Sequence, residues 1–297
     1  MGEPVTFRSL LDLERLPTLD YIEGLQNIGL LAKSSKCSKC GCGMYLGEKS
    51  EVSDGFVWRC NKTGCKTAKS LRKGTFFSQS NMPLSKILLL AYMWCRKFSH
   101  DHVQHELGVS SETIVNWYNY FRKVTISIME LKSEPIGGQD MIVQIEESMF
   151  SKSKSKSGAK RSRQWILAGV ELNGTKCFFV KNDNQDAETL VPLLKKYVLP
   201  GSRIYSDNWK ADECLGEKGY EDMITNHSVK FVQGDANTYK TEGLCKSVKK
   251  SFPQCYGKKE MLDSYMAEFM WRRFRSSAIC LFTQFLEDAA TVYKASQ

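Results

Sequence analysis

The sequence predicts a mixed α/β protein in which a cysteine-rich module and a helical region precede a domain of strands and helices. Residues 33–70 are rich in Cys, Gly, Lys and Ser and poor in aliphatic side chains, which is typical of a small module held together by a metal. Apolar residues recur at helical spacing in 8–32 and 83–124. After residue 138, short apolar strands alternate with helical segments, which indicates a mixed sheet.

Composition narrows the classes of function. The 297 residues are 42% hydrophobic and 25% charged, as in ordinary globular proteins, and this length suggests about two domains. The longest apolar run, residues 87–95, is far shorter than the roughly 20 residues that cross a membrane, so we expect no membrane partner. A net charge of +9 favours a polyanionic partner. Eleven cysteines without an evident signal peptide indicate a metal site plus buried thiols in a reducing compartment.

The first half of the chain is predicted to be helical on both sides of the cysteine-rich module. Residues 1–35 form a helical segment that Pro17 interrupts. Pro83 begins a helix that runs to about residue 98, a short helix covers 100–107, and a third covers 111–124. Ser110 and Ser111 can cap the third helix.

The second half, residues 138–297, is predicted to be one domain. Residues 141–145, 164–170 and 176–180 are predicted strands, followed by a helix at 186–197 and a short strand that ends at Asp207. A helix at 209–218 and a strand at 227–232 come next, and the chain from about residue 238 is predicted to be helical.

The spacing of four cysteines predicts a zinc ribbon over residues 36–75. Structural zinc needs four soft ligands arranged as a tetrahedron, which two close cysteine pairs supply. Cys42 is a substitute ligand because the second pair is more widely spaced than usual. A ribbon of this kind either binds DNA or only braces the fold. The predicted zinc ligands are Cys37, Cys40, Cys60 and Cys65.

Residues 83–125 contain a candidate helix-turn-helix for DNA binding. The Gly108-Val109-Ser110 turn has the short, glycine-containing form that sets two helices at a steep angle. The alternative is an ordinary helical hairpin, and the basic charge of the chain favours DNA. The side chains expected to reach base edges are Ser111, Thr113, Asn116 and Asn119, with Arg122 and Lys123 at phosphates.

A basic segment lies between the first two strands of the second half. No acidic residue occurs from 151 to 163, and serines separate the basic side chains. The segment is either a solvated hairpin tip or a loop that follows DNA phosphates, and it also fits a nuclear-import signal. Its basic residues are Lys152, Lys154, Lys156, Lys160, Arg161 and Arg163.

Three carboxylates stand where a magnesium site for phosphoryl transfer could form. Glu146 lies on the first strand, Asp207 ends the fourth strand, and Glu242 opens a late helix. Two-metal chemistry needs carboxylates that converge from separate elements, and this placement resembles the ribonuclease H-like arrangement. Candidate neighbours of the site are Glu147, Lys210 and His227.

From about residue 20 onward, the chain resembles the Merlin superfamily of DDE transposases, which has relatives among bacterial insertion sequences. The N-terminal ribbon and residues 73–78 (K-G-T-F-F-S) look like this family. The other matching segments are 144–148 (Q-I-E-E-S), 199–211 (L-P-G-S-R-I-Y-S-D-N-W-K-A), 226–232 (N-H-S-V-K-F-V), 241–244 (T-E-G-L) and 262–273 (L-D-S-Y-M-A-E-F-M-W-R-R).

This resemblance implies a ribonuclease H-like fold that cuts and joins DNA at transposon ends with Mg²⁺ or Mn²⁺. Asp207 and Glu242 match the second and third catalytic positions. Glu146 stands where the family's I-D-E-S motif has Asp, so this motif reads I-E-E-S. The expected partner is double-stranded DNA with terminal inverted repeats, bound by a homo-oligomer in the nucleus, or in the cytoplasm of a bacterium. The alternative is a domesticated, inactive DNA-binding protein.

Overall fold

The computed structural model describes residues 5–13, 15–16, 18–151, 163–172, 174–206, 221–224 and 259–294. It divides the chain into two compact units. The first unit contains Met1–Ile128 and Ala278–Gln297, and the second contains Met129–Ser277. The last twenty residues therefore belong with the N-terminal half, which differs from the predicted domain boundary of 138–297.

The cysteine-rich module of the first unit is a three-stranded antiparallel sheet. Its strands are β1 (Met44–Glu48), β2 (Phe56–Cys60) and β3 (Ala68–Ser70), in that order across the sheet. Strands β1 and β2 pair from Met44 with Cys60 at one end to Glu48 with Phe56 at the other. The sheet buries few apolar side chains, chiefly the three at the start of β2, so a cross-link would supply stability that the core does not.

A buried ion pair joins the turn of the β1–β2 hairpin to the segment after β3. Arg72 Nε donates to Asp54 Oδ2 at 2.7 Å, and its Nη1 donates to the carbonyl oxygens of Ser80 and Met82, both at 2.7 Å. The side chains of Arg72 and Asp54 are only 4% and 8% exposed. Because every bond made by the guanidinium is charge-assisted, this pair fixes the sheet onto the start of the next helix.

Six helices complete the first unit: α1 (Phe7–Leu13), α2 (Thr18–Ile28), α3 (Leu84–Cys95), α4 (His100–Leu107), α5 (Ser111–Lys132, up to Ile128 in this unit) and α8 (Leu281–Val292). Helix α3 is central, and ten of its twelve residues are buried. Helices α1, α4 and α8 pack against it. The apolar run predicted from the sequence is therefore a core helix. Among the described residues, no helix has the length and hydrophobicity to cross a bilayer.

An aromatic cluster explains why the C-terminal helix joins the first unit. Phe285 of α8 lies with ring centroids 5.1 Å from Trp94 of α3 and 5.3 Å from Phe121 of α5. Phe76, from the segment after the ribbon, also contacts Phe285 and Phe121. Fully buried aromatic side chains contribute several kcal/mol each, so they determine where this amphipathic helix docks.

The second unit is built on a five-stranded mixed sheet. In chain order the strands are β5 (Ile142–Ser151), β6 (Arg163–Glu171), β7 (Cys177–Asn182), β9 (Arg203–Ser206) and β10 (Glu221–Ile224), and the order across the sheet is β10-β9-β5-β6-β7. Strands β5, β6 and β7 are antiparallel, whereas β9 runs parallel to β5 and β10 runs parallel to β9. A small parallel pair joins β4 (Ile136–Gly137) to β8 (Val198–Leu199). The predicted mixed α/β fold is confirmed.

Among the described residues, one helix packs against each face of this sheet. Val143 and Ile145 of β5 and Ile204 of β9 share a buried cluster with Leu190 and Leu194 of α6 (Ala187–Tyr197). On the other face, a second cluster joins β6 and β7 to α7 (Lys259–Phe274), and its buried members are Ile166, Ala168, Phe179, Leu262 and Met266. Because side chains alternate between the two faces of a strand, successive β5 residues point in turn toward the α6 face and the α7 face of the sheet.

Two details of the second unit differ from the sequence prediction. Strand β5 extends to Ser151, six residues beyond its predicted end. Strand β10 occupies residues 221–224, which were not predicted as a strand. The four residues of this strand (E-D-M-I) begin with two acidic side chains and lack the apolar alternation of a half-buried strand. The predicted helix at 209–218 and the predicted strand at 227–232 lie outside the described residues. Of the region from about residue 238 that is predicted to be helical, the described part contains α7 and α8.

Candidate metal centre and nucleic-acid interface

The structure brings the four predicted zinc ligands together at one end of the ribbon. The Sγ atoms of Cys37, Cys40, Cys60 and Cys65 all lie within 4.8 Å of one another. Cys37 Sγ is 3.8 Å from Cys65 Sγ, and Cys40 Sγ is 3.4 Å from Cys60 Sγ. Four sulfurs bound to zinc at about 2.3 Å stand about 3.8 Å apart in a tetrahedron. The cluster therefore has the size and donor chemistry of a tetrathiolate metal site.

Backbone amides position these sulfurs. The N–H groups of Lys39 and Lys62 donate to Cys37 Sγ and Cys60 Sγ, each at 3.4 Å. Burial opposes ionisation of Cys37, but the N–H groups of Lys39 and Cys40 outweigh it and lower the pKa of Cys37 to about 6. The N–H of Cys42 lowers the pKa of Cys40, but the Cys60 thiol and burial raise it to about 12. Four sulfurs this close cannot all be thiolates without a cation between them.

Cys42, the predicted substitute ligand, does not join the cluster. It is half-buried and lies outside the group of four sulfurs. Its backbone is used instead, because its carbonyl accepts a 2.9 Å hydrogen bond from the N–H of Cys37 and its N–H donates to the sulfur of Cys40. Cys42 therefore shapes the loop that carries the first cysteine pair.

The short helix α4, its turn and helix α5 adopt the local conformations predicted for the candidate helix-turn-helix. Gly108 ends α4 in the left-handed region, with φ of 56°, which favours glycine. Ser99 caps α4 by accepting from the N–H of His102, and Ser110 caps α5 by accepting from the N–H of Thr113 at 3.1 Å. Apolar side chains on both sides of the turn are buried, among them Val103, Leu107, Ile114 and Phe121.

The six predicted DNA-binding positions of α5 divide into three groups: three are exposed, two are half-buried and one, Arg122, is buried. Ser111, Asn116 and Lys123 are exposed. Thr113 and Asn119 are half-buried, and the hydroxyl of Thr113 bonds to Ser110 Oγ at 2.9 Å.

Arg122 requires a correction, because its side chain is 4% exposed rather than directed to solvent. Its Nη2 donates to Asn119 Oδ1 at 2.5 Å. Arg122 therefore bonds within the helix instead of being available to a phosphate, and it occupies part of Asn119 as well.

Glu146 and Glu147 lie on opposite faces of the sheet. Glu146 pairs across β5 and β6 with Ala168, which belongs to the cluster beneath α7. It is half-buried, and among the described residues no hydrogen bond or ion pair engages its carboxylate. Glu147 shares the α6 face with Ile145 and accepts from Asn182 Nδ2 at 2.7 Å and Gln185 Nε2 at 3.0 Å. Glu147 therefore fits a structural role on β5 and is not on the same face as Glu146.

The other predicted residues of the second unit fall outside the described part of the chain. They are Asp207, Lys210, His227 and Glu242, and Lys152, Lys154, Lys156, Lys160 and Arg161 of the basic segment. The backbone of Arg163 begins β6. The residue before Asp207, Ser206, ends β9 and pairs with Ile145, the residue before Glu146.

Sequence reasoning missed Asn182 and Gln185, which hold Glu147. Asn182 is 4% exposed at the end of β7 and also donates to the carbonyl oxygen of Asn184 at 3.0 Å. The available signal was a polar side chain at the inward position of an otherwise apolar strand, because such a residue needs a buried partner.

The second unit is similar in sequence to transposase domains. Residues 128–273 match the family described as the ISXO2-like transposase domain. This range covers almost all of the second unit. The match supports a transposase-like domain but does not distinguish the Merlin superfamily from its relatives.

One curated relative is the male abnormal protein mab-31 of Caenorhabditis elegans. The two chains are 25% identical over 242 residues, which cover 75% of this chain and 54% of the relative. The chain therefore spans about half the length of the curated relative it matches.

Solved structures of the Mos1 transposase are also similar to the chain. The paired-end complex with the left transposon end is 14% identical, with 70% of this chain and 78% of that chain covered and a TM-score of 0.27. The strand transfer complex is 12% identical, with 71% and 78% covered and a TM-score of 0.24. The likeness of residues 128–273 to a transposase domain rests on the family match.

Proposed function

We propose that the protein is a Merlin-type DDE transposase that cuts and joins DNA at transposon ends. The observation that carries this proposal is the match of residues 128–273 to a transposase domain. The sheet of the second unit supports it, because its order and strand directions are those of a ribonuclease H-like domain: three antiparallel strands, with two further strands parallel to the first.

The register of β5 and β9 supports the assignment of two catalytic carboxylates. Ile145 and Ser206 are paired on these parallel strands, and the residues that follow them in the sequence are Glu146 and Asp207. Parallel strands carry functional groups at their carboxyl ends in α/β sites. We therefore assign Glu146 and Asp207 as two of the catalytic carboxylates, and the resemblance to DDE transposases adds Glu242 as the third.

These three residues would hold Mg²⁺ or Mn²⁺. Carboxylate oxygens are the donors that both ions prefer, and the carboxylate of Glu146 is not engaged by any described residue. When bound, two such ions activate the attacking hydroxyl and stabilise the leaving oxygen of a phosphodiester. The protein's own contribution is to fix Glu146 on a central strand that is paired on both sides, so that the carboxylate is held by the sheet.

The first unit supplies a structural zinc site and a DNA contact in this proposal. Zinc bound by Cys37, Cys40, Cys60 and Cys65 would hold the ribbon. Exposed Ser111, Asn116 and Lys123 of α5 would contact DNA, together with the basic segment 152–163. Synapsis of two transposon ends requires a homo-oligomer, and the basic segment would direct the protein to the nucleus.

The test is strand cleavage of DNA that carries candidate transposon ends, with Mg²⁺ or Mn²⁺. Wild-type protein should cut, and Asp207→Ala should abolish cutting while the affinity for DNA is retained. Glu188→Gln, an exposed carboxylate on α6, is the matched control and should cut like wild type. DNA binding measured in parallel distinguishes loss of cleavage from loss of DNA binding.

A second candidate is a domesticated protein that binds DNA without cutting it. The observation that favours it is Glu146 itself, because the family motif has Asp there and Glu is one methylene longer. A misplacement near 1 Å costs on the order of a hundredfold in rate. Cleavage by Glu146→Asp but not by wild type would establish this candidate, whereas cleavage by wild type would establish the transposase.

A further inference from the structure

The charge of the ribbon is strongly one-sided. Residues 36–75 contain nine basic and three acidic side chains, which gives a net charge of +6. A zinc ion with four thiolates carries a net charge of −2. The basic side chains therefore exceed what is needed to neutralise a metal centre, and about +4 remains for another partner.

The acidic side chains of the ribbon are confined to one end. All three acidic residues are within 48–54, at the end where Glu48 pairs with Phe56. One of them, Asp54, is already paired with Arg72. The cysteines lie at the other end, where Met44 pairs with Cys60, about 13 Å away along the strands. No acidic residue occurs in 36–47 or 57–75, so the cysteine end is purely basic.

Four lysines project from the loops that carry the cysteines. Lys36, Lys39, Lys62 and Lys66 each stand within two residues of a cysteine of the cluster, and all four are exposed. Among the described residues, no acceptor bonds to any of their ammonium groups. Two of these lysines are tied to the cluster through their backbones, because the N–H groups of Lys39 and Lys62 donate to cluster sulfurs.

We propose that these four lysines form a phosphate-binding surface for duplex DNA, held in shape by the metal centre. This inference rests on the DNA-binding function proposed above and adds a contact region separate from α5 and from residues 152–163. Lysine donates to phosphate oxygens as a point charge, and such a contact does not distinguish one base from another. The surface therefore adds affinity for any duplex sequence. Removal of the metal releases the loops and with them the arrangement of the four charges.

The experiment measures the affinity of the full chain for a fluorescent duplex between about 50 and 200 mM salt. The variant replaces Lys36, Lys39, Lys62 and Lys66 with Gln. A control of equal charge change replaces the exposed Lys49, Lys73, Lys97 and Lys195 with Gln. Each lost phosphate contact lowers the slope of log affinity against log salt by about 1. The magnitude of this slope should therefore fall by about 3 to 4 in the Gln variant, whatever the sequence of the duplex, and by less than about 1 in the control.

Two further measurements separate charge and metal from folding. The same four positions changed to Arg should keep both the bound zinc and the slope, because the charge is retained. Removal of zinc by a chelator should lower the slope of wild type much more than that of the Gln variant. An Arg variant with a reduced slope, or equal chelator effects on both proteins, would overturn the inference.

The outcomes also separate this inference from the proposed function. Steep salt-dependent binding by wild type, with an unchanged slope in the Gln variant, overturns the lysine surface and leaves DNA binding in place. Absence of salt-dependent binding by wild type overturns the proposed function itself.

Discussion

The two candidate metal sites differ in how far along the chain their ligands come from. The four cysteines lie between positions 37 and 65, on loops of one small sheet, and their sulfurs meet within 4.8 Å. The three proposed carboxylates are spread from position 146 to 242. The first site is local, whereas the second depends on strands that meet only after the mixed sheet has formed.

The cysteine site therefore stabilises its own module, whereas the carboxylate site depends on a sheet that is stable without it. The ribbon buries few apolar groups, so a metal supplies much of its stability. The sheet of the second unit has apolar clusters on both faces that involve no proposed metal ligand. Metal removal should therefore unfold the ribbon and leave the sheet intact, and the following changes test that contrast.

The largest effect is expected from Cys60→Ser. It removes one of four ligands, and structural zinc contributes on the order of 10 kcal/mol to the folding of small zinc modules. We expect loss of bound zinc and unfolding of the ribbon, with the transition of the second unit unchanged. Metal content and circular dichroism on heating provide the measurement. Cys42→Ser is the matched control and should retain zinc, so a zinc-free Cys42→Ser protein would restore Cys42 as a ligand.

The next largest effect is expected from Arg72→Met. The change leaves Asp54 as a buried carboxylate without its cation, and breaking such a pair costs about 3–5 kcal/mol. Denaturant unfolding monitored by tryptophan fluorescence gives the free energy. The double variant Arg72→Met with Asp54→Leu should recover much of the loss, because it removes the unpaired charge. A double variant as unstable as the single one would contradict the ion-pair explanation.

A moderate effect is expected in the second unit from Asn182→Leu. The half-buried carboxylate of Glu147 loses its shorter donor bond, and loss of a hydrogen bond to a charged group costs about 1–3 kcal/mol. Gln185→Leu removes the other donor at an exposed position and should cost less. The comparison uses equilibrium unfolding of the two variants. Equal losses would show that the Asn182–Glu147 bond is not the one that holds β5.

The smallest effect is expected from Ser110→Ala. Ser110 Oγ caps α5 by accepting from the N–H of Thr113, and loss of such a cap costs about 1 kcal/mol. Ser111→Ala changes an exposed neighbour and should stay within about 0.5 kcal/mol. Thermal melting of both variants gives the difference, and a Ser111→Ala variant that is the less stable of the two would reassign the cap.

The sequence is sufficient where the determinants are close together in the chain. The cap at Ser110 and the turn at Gly108 predict where α4 ends and α5 begins, because each signal acts on its own helix end. The cysteine spacing predicts the cluster for the same reason. The three antiparallel strands follow from three short apolar runs in the sequence.

The sequence is insufficient where a partner from elsewhere in the chain decides. Helix α8 has an apolar face, but only the aromatic side chains of α3 and α5 determine that it docks in the first unit. Arg122 looks like a surface cation because its burial depends on tertiary packing. The structure thus buries Arg122 and groups the last twenty residues with the first unit. The roles of Glu146, Asp207 and Glu242 stay a prediction.

The separation of charge along the ribbon has a kinetic consequence. A module with its three acidic side chains at the hairpin turn, and only basic side chains around the metal-binding cysteines at the other end, has a permanent electric dipole along β1 and β2. An anionic surface exerts a torque on such a dipole within about one Debye length, roughly 10 Å at 0.1 M salt. The cysteine end is therefore turned toward the surface before any contact forms. Such steering raises the rate of association and leaves the rate of dissociation to the contacts themselves.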